Sequence, residues 1–433
     1  MIRTSVWATS AAIVLASSCA QAPGDAPTPK PVPSAVLIAS SGSHAGEGGR
    51  DEEPDYSIPK EKFADPQRSF DEVKKILLSG YYDPSITEES LYRAAVAGML
   101  ERVDPSMRKW NKLLSPSDLA EIHRDLSGEI VGIGVKIYFD PATGYSDVLA
   151  AVPGTPAAQA GLAPPDKIVT VDGKLYKGRT ERDVVADIRG KAGESVTLSV
   201  LRGDRLLSVP LVRAKINYDP VNQLVLEGDV GYVHIPSFNA STPDALAGAL
   251  QHLGSLTIRA LVVDVRECPG GSFDDAVAAA SELLPAGATV ATLKKRGATD
   301  VVKSRRAPVL TGIPIAVLVN HDTSSGAELI AIALQEGVHA LLVGEKTYGK
   351  WTVQTLADLP NGYAFKYTQA LFQSPSGKSF EGTGLPPDVE VNMPMRAVDA
   401  AEAISDPVER LAADVQLRTA VTLLRRDVPA ATH

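Results

Sequence analysis

The chain has 433 residues, 44% of them hydrophobic, which is enough for two or three domains with sizeable cores. Its net charge of −9 argues against a nucleic-acid binder, which would usually carry a basic face. Two cysteines, Cys19 and Cys268, exclude a disulfide framework or a cysteine-built zinc site, and no His-Glu-x-x-His pair occurs, so no metal and no other cofactor is expected.

The N-terminus reads as an export signal over residues 1–22. Arg3 supplies the positive charge, and Val6 to Ala16 is an apolar run too short to span a membrane as a mature helix. "LASSC" ends at Cys19 and resembles a lipoprotein cleavage box, with Leu15 one residue early. Lipid on Cys19 would tether the chain to a membrane; ordinary cleavage near Ala20-Gln21-Ala22 is the other reading, although Pro23 disfavours it. Residues 23–59, rich in Pro, Ala, Gly and Ser, cannot pack a core and read as a flexible linker.

Residues 60–127 read as a helical region. "SFDEVKKILLSGYYDP" and "TEESLYRAAVAGMLERVDP" carry apolar residues at helical spacing and stop at Asp-Pro, and "SPSDLAEIHRDLSG" adds a helix capped by Ser115 or Ser117. From Glu129 the pattern becomes Gly-punctuated and alternating. "GEIVGIGVKIYF", "TPAAQAGLAP", "DKIVTVDG", "TERDVVADIRG" and a hairpin around Gly203-Asp204 give the order strand, helix, strand, helix, hairpin over residues 128–213. This order resembles a PDZ domain. In that reading Gly132, Ile133, Gly134 and Val135 expose backbone N–H groups to a terminal carboxylate, and the following strand offers an edge to an incoming peptide. Residues 214–395 alternate strand and helix patterns, as an α/β core does. Residues 396–433 read as a C-terminal helix, with Val408, Leu411 and Val415 as one apolar set and Leu417, Val421 and Leu424 as another.

The chemistry-bearing residues lie in that α/β segment. Ser325 in "NHDTSSGAELIA" fits a capping box with Glu328, and it also stands where a helix start offers unpaired N–H groups to an oxyanion. A serine nucleophile needs a base, and Lys350 in "GEKTYGKWTVQ" qualifies if its amine is neutral. A carboxylate beside it would keep it charged; the amide of Gln354 would orient it without doing so, and in a strand over "KWTVQT" the two share a face. The Gly-rich turn in "DVRECPGG" supplies Gly270 or Gly271, which with Gly326 would make an oxyanion hole.

"YYDP", "GMLERVDP", "SGEIVGIGV", "DVRECPGG", "SSGAE", "GEKTYGKWTVQ" and "SPSGKSFEGTGLPPDVEV", met in this order, resemble the carboxyl-terminal processing peptidases, PDZ-containing serine proteases with a Ser–Lys dyad. The resemblance covers roughly residues 65 to 395. It implies a crotonase-like α/β protease core with an inserted PDZ domain and an N-terminal helical region. It also implies a serine endopeptidase of the periplasm that cleaves exported proteins near apolar C-termini. Carried over residue by residue, Ser325 matches the nucleophile, Lys350 the general base, Gln354 the orienting residue, and Gly270 and Gly326 the oxyanion donors. An adaptor protein and a homo-oligomer stay open as partners. The departures are Cys268, Trp351, "TSSGAE" and "DPSM", where the family has other residues.

The site admits rival readings, and the whole chain admits one. "GEKTYGK" nearly spells a phosphate-binding loop, but Trp351 replaces its metal-holding hydroxyl. His321 stands close enough in sequence to serve as the base, and Cys268 is an alternative nucleophile. Asp264, at a strand end, could be catalytic, but it reads rather as a tie for the Gly-rich turn through Arg266. The rival for the whole chain is a catalytically inactive PDZ scaffold that binds exported C-termini.

Overall fold

A computed structural model describes residues 64–103, 110–140, 143–178, 181–216, 219–227 and 229–427. The expected signal peptide with Cys19, the expected linker over 23–59 and the "DPSM" segment lie outside them. The chain divides into two units between Glu72 and Val73, and the first contributes only the start of helix α1 (Pro66–Gly80) to the described residues.

In the second unit, the helical region continues with α2 (Glu88–Val103) and α3 (Pro116–Ser127). Of the two expected caps, Ser115 is the one used: its hydroxyl accepts Asp118 N–H at 3.2 Å while the Asp118 carboxylate accepts Ser115 N–H at 3.0 Å. The region is not wholly helical. Strand β1 (Lys112–Leu114) lies just ahead of α3 and joins a sheet of the core.

The PDZ domain follows as β2 (Ile130–Gly132), β3 (Val135–Asp140), β4 (Tyr145–Ala151), α4 (Pro156–Gln159), β5 (Lys167–Val171), β6 (Lys174–Leu175), α5 (Glu181–Ile188), β7 (Ser195–Arg202), β8 (Arg205–Val212) and β9 (Ala214–Ile216). Its sheet runs β3-β4-β5-β7-β8, with β6 beside β5, and β2 pairs with β9 instead. The alternating pattern of β7 buries Val196, Leu198 and Val200 against Ile168 of β5 and against Val184 and Ile188 of α5. β4 is an extra strand that the sequence reading passed over. It leaves β3 as an edge strand, paired only with β4 among the described residues.

The core is built from β10 (Asn222–Leu226), β11 (Val230–His234), α6 (Thr242–Ser255), β12 (Ala260–Asp264), α7 (Phe273–Ser281), β13 (Thr289–Lys295), β14 (Ala298–Lys303), β15 (Ile315–Val319), α8 (Gly326–Val338), β16 (Leu341–Gly344), β17 (Thr352–Asp358), β18 (Ala364–Gln373) and β19 (Val389–Glu390). One sheet has the order β10-β11-β12-β15-β16-β19, parallel apart from β10. Its inner strands are largely apolar, with polar residues at strand ends such as His234 and Asp264, because both faces are covered. Leu261, Val263 and Val317 pack with residues of α6, α7 and α8, while Val262, Ala316 and Leu318 pack with Leu417, Val421 and Leu424. The second sheet is antiparallel: β18 pairs with β17 and with β1 and β13, and β14 follows β13.

The C-terminal segment is three helices rather than one: α9 (Met395–Glu402), α10 (Pro407–Ala413) and α11 (Val415–Asp427). One break lies between Glu402 and Pro407, and the other falls at Asp414, whose carboxylate accepts Leu417 N–H and pairs with Arg266. The second apolar set packs as expected, but Val408 of the first is exposed.

Candidate active site

Three chain segments converge at the C-terminal ends of β12, β15 and β16. Brief loops leave these parallel strands here, where the backbone groups are no longer used by the sheet.

The first is the turn after β12. Asp264 is fully buried, and burial alone would raise its carboxyl, but the Arg266 guanidinium beside it holds it down at about 2. Arg266, also fully buried, donates to Asp264 Oδ2 at 2.6 Å, to Asp414 at 2.8 Å and to Gln416 at 2.9 Å. Asp264 therefore ties the turn through Arg266, as the sequence suggests. Cys268 is fully buried, and that burial pushes its thiol up to about 12 against the opposing Gly270 N–H, so it is no thiolate near neutrality.

The second is the loop from Asn320 to the start of α8. It is laced to the first. Asn320 Oδ1 accepts Glu267 N–H at 3.0 Å, Thr323 Oγ1 donates to Val265 O at 2.8 Å, Ser324 N–H to Cys268 O at 3.0 Å, and Ser324 Oγ to Pro269 O at 2.9 Å. Ser325 sits at the head of α8 with φ 57° and ψ −115°, a strained conformation for a residue with a side chain. A strand-to-helix turn of this kind projects a side chain out of the sheet's end. Gly270, at φ 90°, lies so close that an added Cβ would come within 2.8 Å of Ser325 Cβ and of Gly326 N. Gly271, at φ 143°, would overlap the Phe238 carbonyl with any side chain. Gly326 opens α8, where the first N–H groups have no intrahelical partner.

The third is the stretch after β16 that carries Lys350. Glu328, fully buried in the first turn of α8, holds the second and third segments together. Its Oε2 accepts Ser325 N–H at 3.0 Å and Lys350 N–H at 2.8 Å. Its Oε1 accepts the Thr347 hydroxyl at 2.5 Å, Gly349 N–H at 2.8 Å and the Trp351 indole N–H at 3.1 Å. The capping glutamate of the sequence is thus also the clamp between the nucleophile candidate and the base candidate. The signal for it was a single acid inside the otherwise apolar run "GAELIAIAL". Trp351 is fully buried, stacked on Phe372 at 4.6 Å, and belongs to this support rather than to the cleft wall.

Lys350 and Gln354 do not lie on one regular strand. β17 begins only at Thr352, so Lys350 lies ahead of the strand, and the register shift beside Gln354 places its extra residue, Gln369, on β18. The Gln354 amide donates to Thr352 Oγ1 at 2.7 Å and to Thr368 Oγ1 at 3.5 Å. Lys350 Nζ lies 4.4 Å from the centre of the Trp110 ring, a neighbour that no local sequence pattern announces. His321 is exposed and paired with Asp322 at 3.2 Å and Glu345 at 3.6 Å.

At the PDZ site, Gly132 ends β2, Ile133 is buried, Gly134 adopts φ 76° and Val135 opens β3. Gly134 is needed because any side chain would overlap Thr155. From the other face of β3, Lys136 reaches the core, with Asp399 at 2.7 Å, Glu402 at 2.7 Å and Glu267 at 3.7 Å. The three carboxylates are close enough together to suit a cation, and the lysine ammonium is the cation beside them. Burial pushes Glu267 up to about 8 against the pull of Lys136.

Residues 229–391 match peptidase family S41, and residues 148–202 match a PDZ domain. The "Probable CtpA-like serine protease" of Staphylococcus aureus is 32% identical over 74% of this chain and 64% of its own length, so the chain spans less than two-thirds of that relative. A "Carboxy-terminal-processing protease" of Bartonella bacilliformis is 31% identical over 71% of each. Among solved structures, the photosystem II D1 C-terminal processing protease superposes with a TM-score of 0.51 at 29% identity, over 79% of this chain and 94% of that one.

Proposed function

The chain belongs to peptidase family S41, the family of carboxy-terminal-processing proteases, and from that premise we propose that it is a serine endopeptidase with a Ser325–Lys350 dyad. The observation that carries this reading is the shared oxygen of Glu328, which brings the backbones of the two residues together beside Gly270.

In this reading a substrate C-terminus adds to the free edge of β3, its carboxylate held by the N–H groups of Gly132 to Val135. The chain extends into the cleft. Ser325 Oγ attacks a backbone carbonyl carbon while neutral Lys350 takes the hydroxyl proton. The N–H groups of Gly326 and of Gly270 or Gly271 receive the charge on the carbonyl oxygen. The C–N bond then breaks, Lys350 returns the proton to the departing amine, and an acyl-enzyme remains. Water attacks the ester, giving its proton to Lys350, and Ser325 leaves with that proton restored. Gln354 is the residue read as orienting the lysine, and its own amide is held by the Thr352 hydroxyl. The substrates are exported proteins with apolar C-termini, and the enzyme works in the periplasm, tethered by lipid if Cys19 is modified.

The test is an unfolded protein with an apolar C-terminus, incubated with the chain and with its Ser325→Ala, Lys350→Ala and His321→Ala variants. The first two should lose on the order of 10⁴-fold in turnover, and His321→Ala should keep it. Substrate equally intact with the unaltered chain and with Ser325→Ala would instead support the inactive scaffold.

A further inference from the structure

We propose that Trp110 is a positioning residue for Lys350, its ring holding the side chain in the ammonium form. This rests on the reading of Lys350 as the general base.

Trp110 stands just ahead of β1, and that strand fixes it. Lys112, Leu113 and Leu114 pair with Lys366, Phe365 and Ala364 of β18. The Asn111 side chain, buried, accepts Thr368 N–H at 2.8 Å, and Leu114 is buried as well. The indole is therefore presented from a segment anchored independently of the ring. Its face meets Lys350 Nζ at 4.4 Å from the centroid, and the Tyr348 ring lies 6.4 Å away in a T-shaped arrangement with it. Tyr348 is held in turn by its N–H to Thr323 O at 3.0 Å, within the nucleophile's own loop. The base candidate thus rests on an aromatic ring supplied by the strand that precedes the PDZ domain.

The face of an indole attracts an ammonium and has no comparable attraction for a neutral amine. A dyad lysine has to be neutral when the serine attacks. Trp110 consequently favours the resting state of the base over its working state. Turnover requires the amine to leave the ring or lose its proton against the ring's attraction. A cation–π contact at a half-exposed position is worth about 0.5–1 kcal/mol, which converts to roughly a two- to fivefold population difference.

The experiment measures kcat and KM on one unfolded substrate for Trp110→Phe and Trp110→Leu, with the rate at which a fluorophosphonate labels Ser325. Thermal unfolding is recorded for each variant, and Lys350→Ala is the reference. The expected result is a kcat near neutral pH about two- to fivefold higher in Trp110→Leu, with KM unchanged. Trp110→Phe should lie in between, and labelling should rise in parallel. A ring that merely props the fold would give lower kcat and a lower melting temperature together. That outcome, or an unchanged kcat and labelling rate in both variants, overturns the proposal. If Trp110→Leu fails to fold, Trp110→Phe decides: faster labelling supports the restraint, and unchanged or slower labelling removes it. An active Lys350→Ala is a different result, since it removes the dyad reading and the proposal built on it.

Discussion

Ser325 and Lys350 donate their backbone N–H groups to one and the same carboxylate oxygen, Glu328 Oε2. The turn that carries Ser325 and the loop that carries Lys350 follow different strands, so this oxygen fixes their separation as no local sequence feature does. Substitution Glu328→Gln should expose that dependence. A carboxamide has one oxygen where five donors need acceptors, and its NH2 faces N–H and O–H groups. Leaving two of these donors unsatisfied should cost about 2–4 kcal/mol of stability. We expect kcat to fall by at least about 100-fold with a smaller change in KM, read by steady-state kinetics beside thermal unfolding.

Gly270→Ala tests the oxyanion turn. The new methyl would press on Ser325 Cβ and Gly326 N at 2.8 Å, so kcat should fall by about 100-fold or more. Gly287→Ala is the control. It shares a positive φ, 79°, but has open space around it, so it should lose a little stability and keep its activity.

Glu267 predicts a pH dependence. Its carboxyl is raised from 4.5 to about 8 in the folded chain, so the folded state keeps a proton that the unfolded state has released. The contribution is fully present below about pH 4.5 and is lost as pH rises through about 8. The melting temperature should therefore drop between those limits, and Glu267→Gln, which cannot titrate, should flatten that slope. A slope equal in both proteins would refute the assignment.

Much of this arrangement was legible in the sequence. The PDZ domain, the alternation of the core and the short motifs at Asp264 and Ser325 rest on local patterns, and the structure brings the segments that carry those two motifs to one end of the core sheet, although β4 is missing from the expected order. Strands β10, β13 and β14 passed unread because their residues are partly exposed and lack strict alternation. The expected shared face for Lys350 and Gln354 failed because β17 starts only at Thr352 and Glu328 takes the Lys350 N–H ahead of it, which periodicity alone does not reveal. The Trp110 contact joins residues far apart in the chain, and only the pairing of β1 with β18 brings them together.

Asp414→Asn should weaken the buried anchor of the turn. Arg266 would keep Asp264 but lose its second full charge, and disrupting a buried pair of this kind costs about 3–5 kcal/mol. Thermal unfolding should register that loss, and kcat should fall with it because Gly270 follows Arg266 by a few residues.

The guanidinium of Arg266 has consequences for the order in which the protein becomes competent. Two of its three partners, Asp414 and Gln416, come from a segment that follows the whole two-sheet core in the chain. During synthesis from the N-terminus, Ser325, Lys350 and the glycines exist before the groups that settle the turn beside them. The final arrangement of that turn thus waits until α10 and α11 have docked on the sheet.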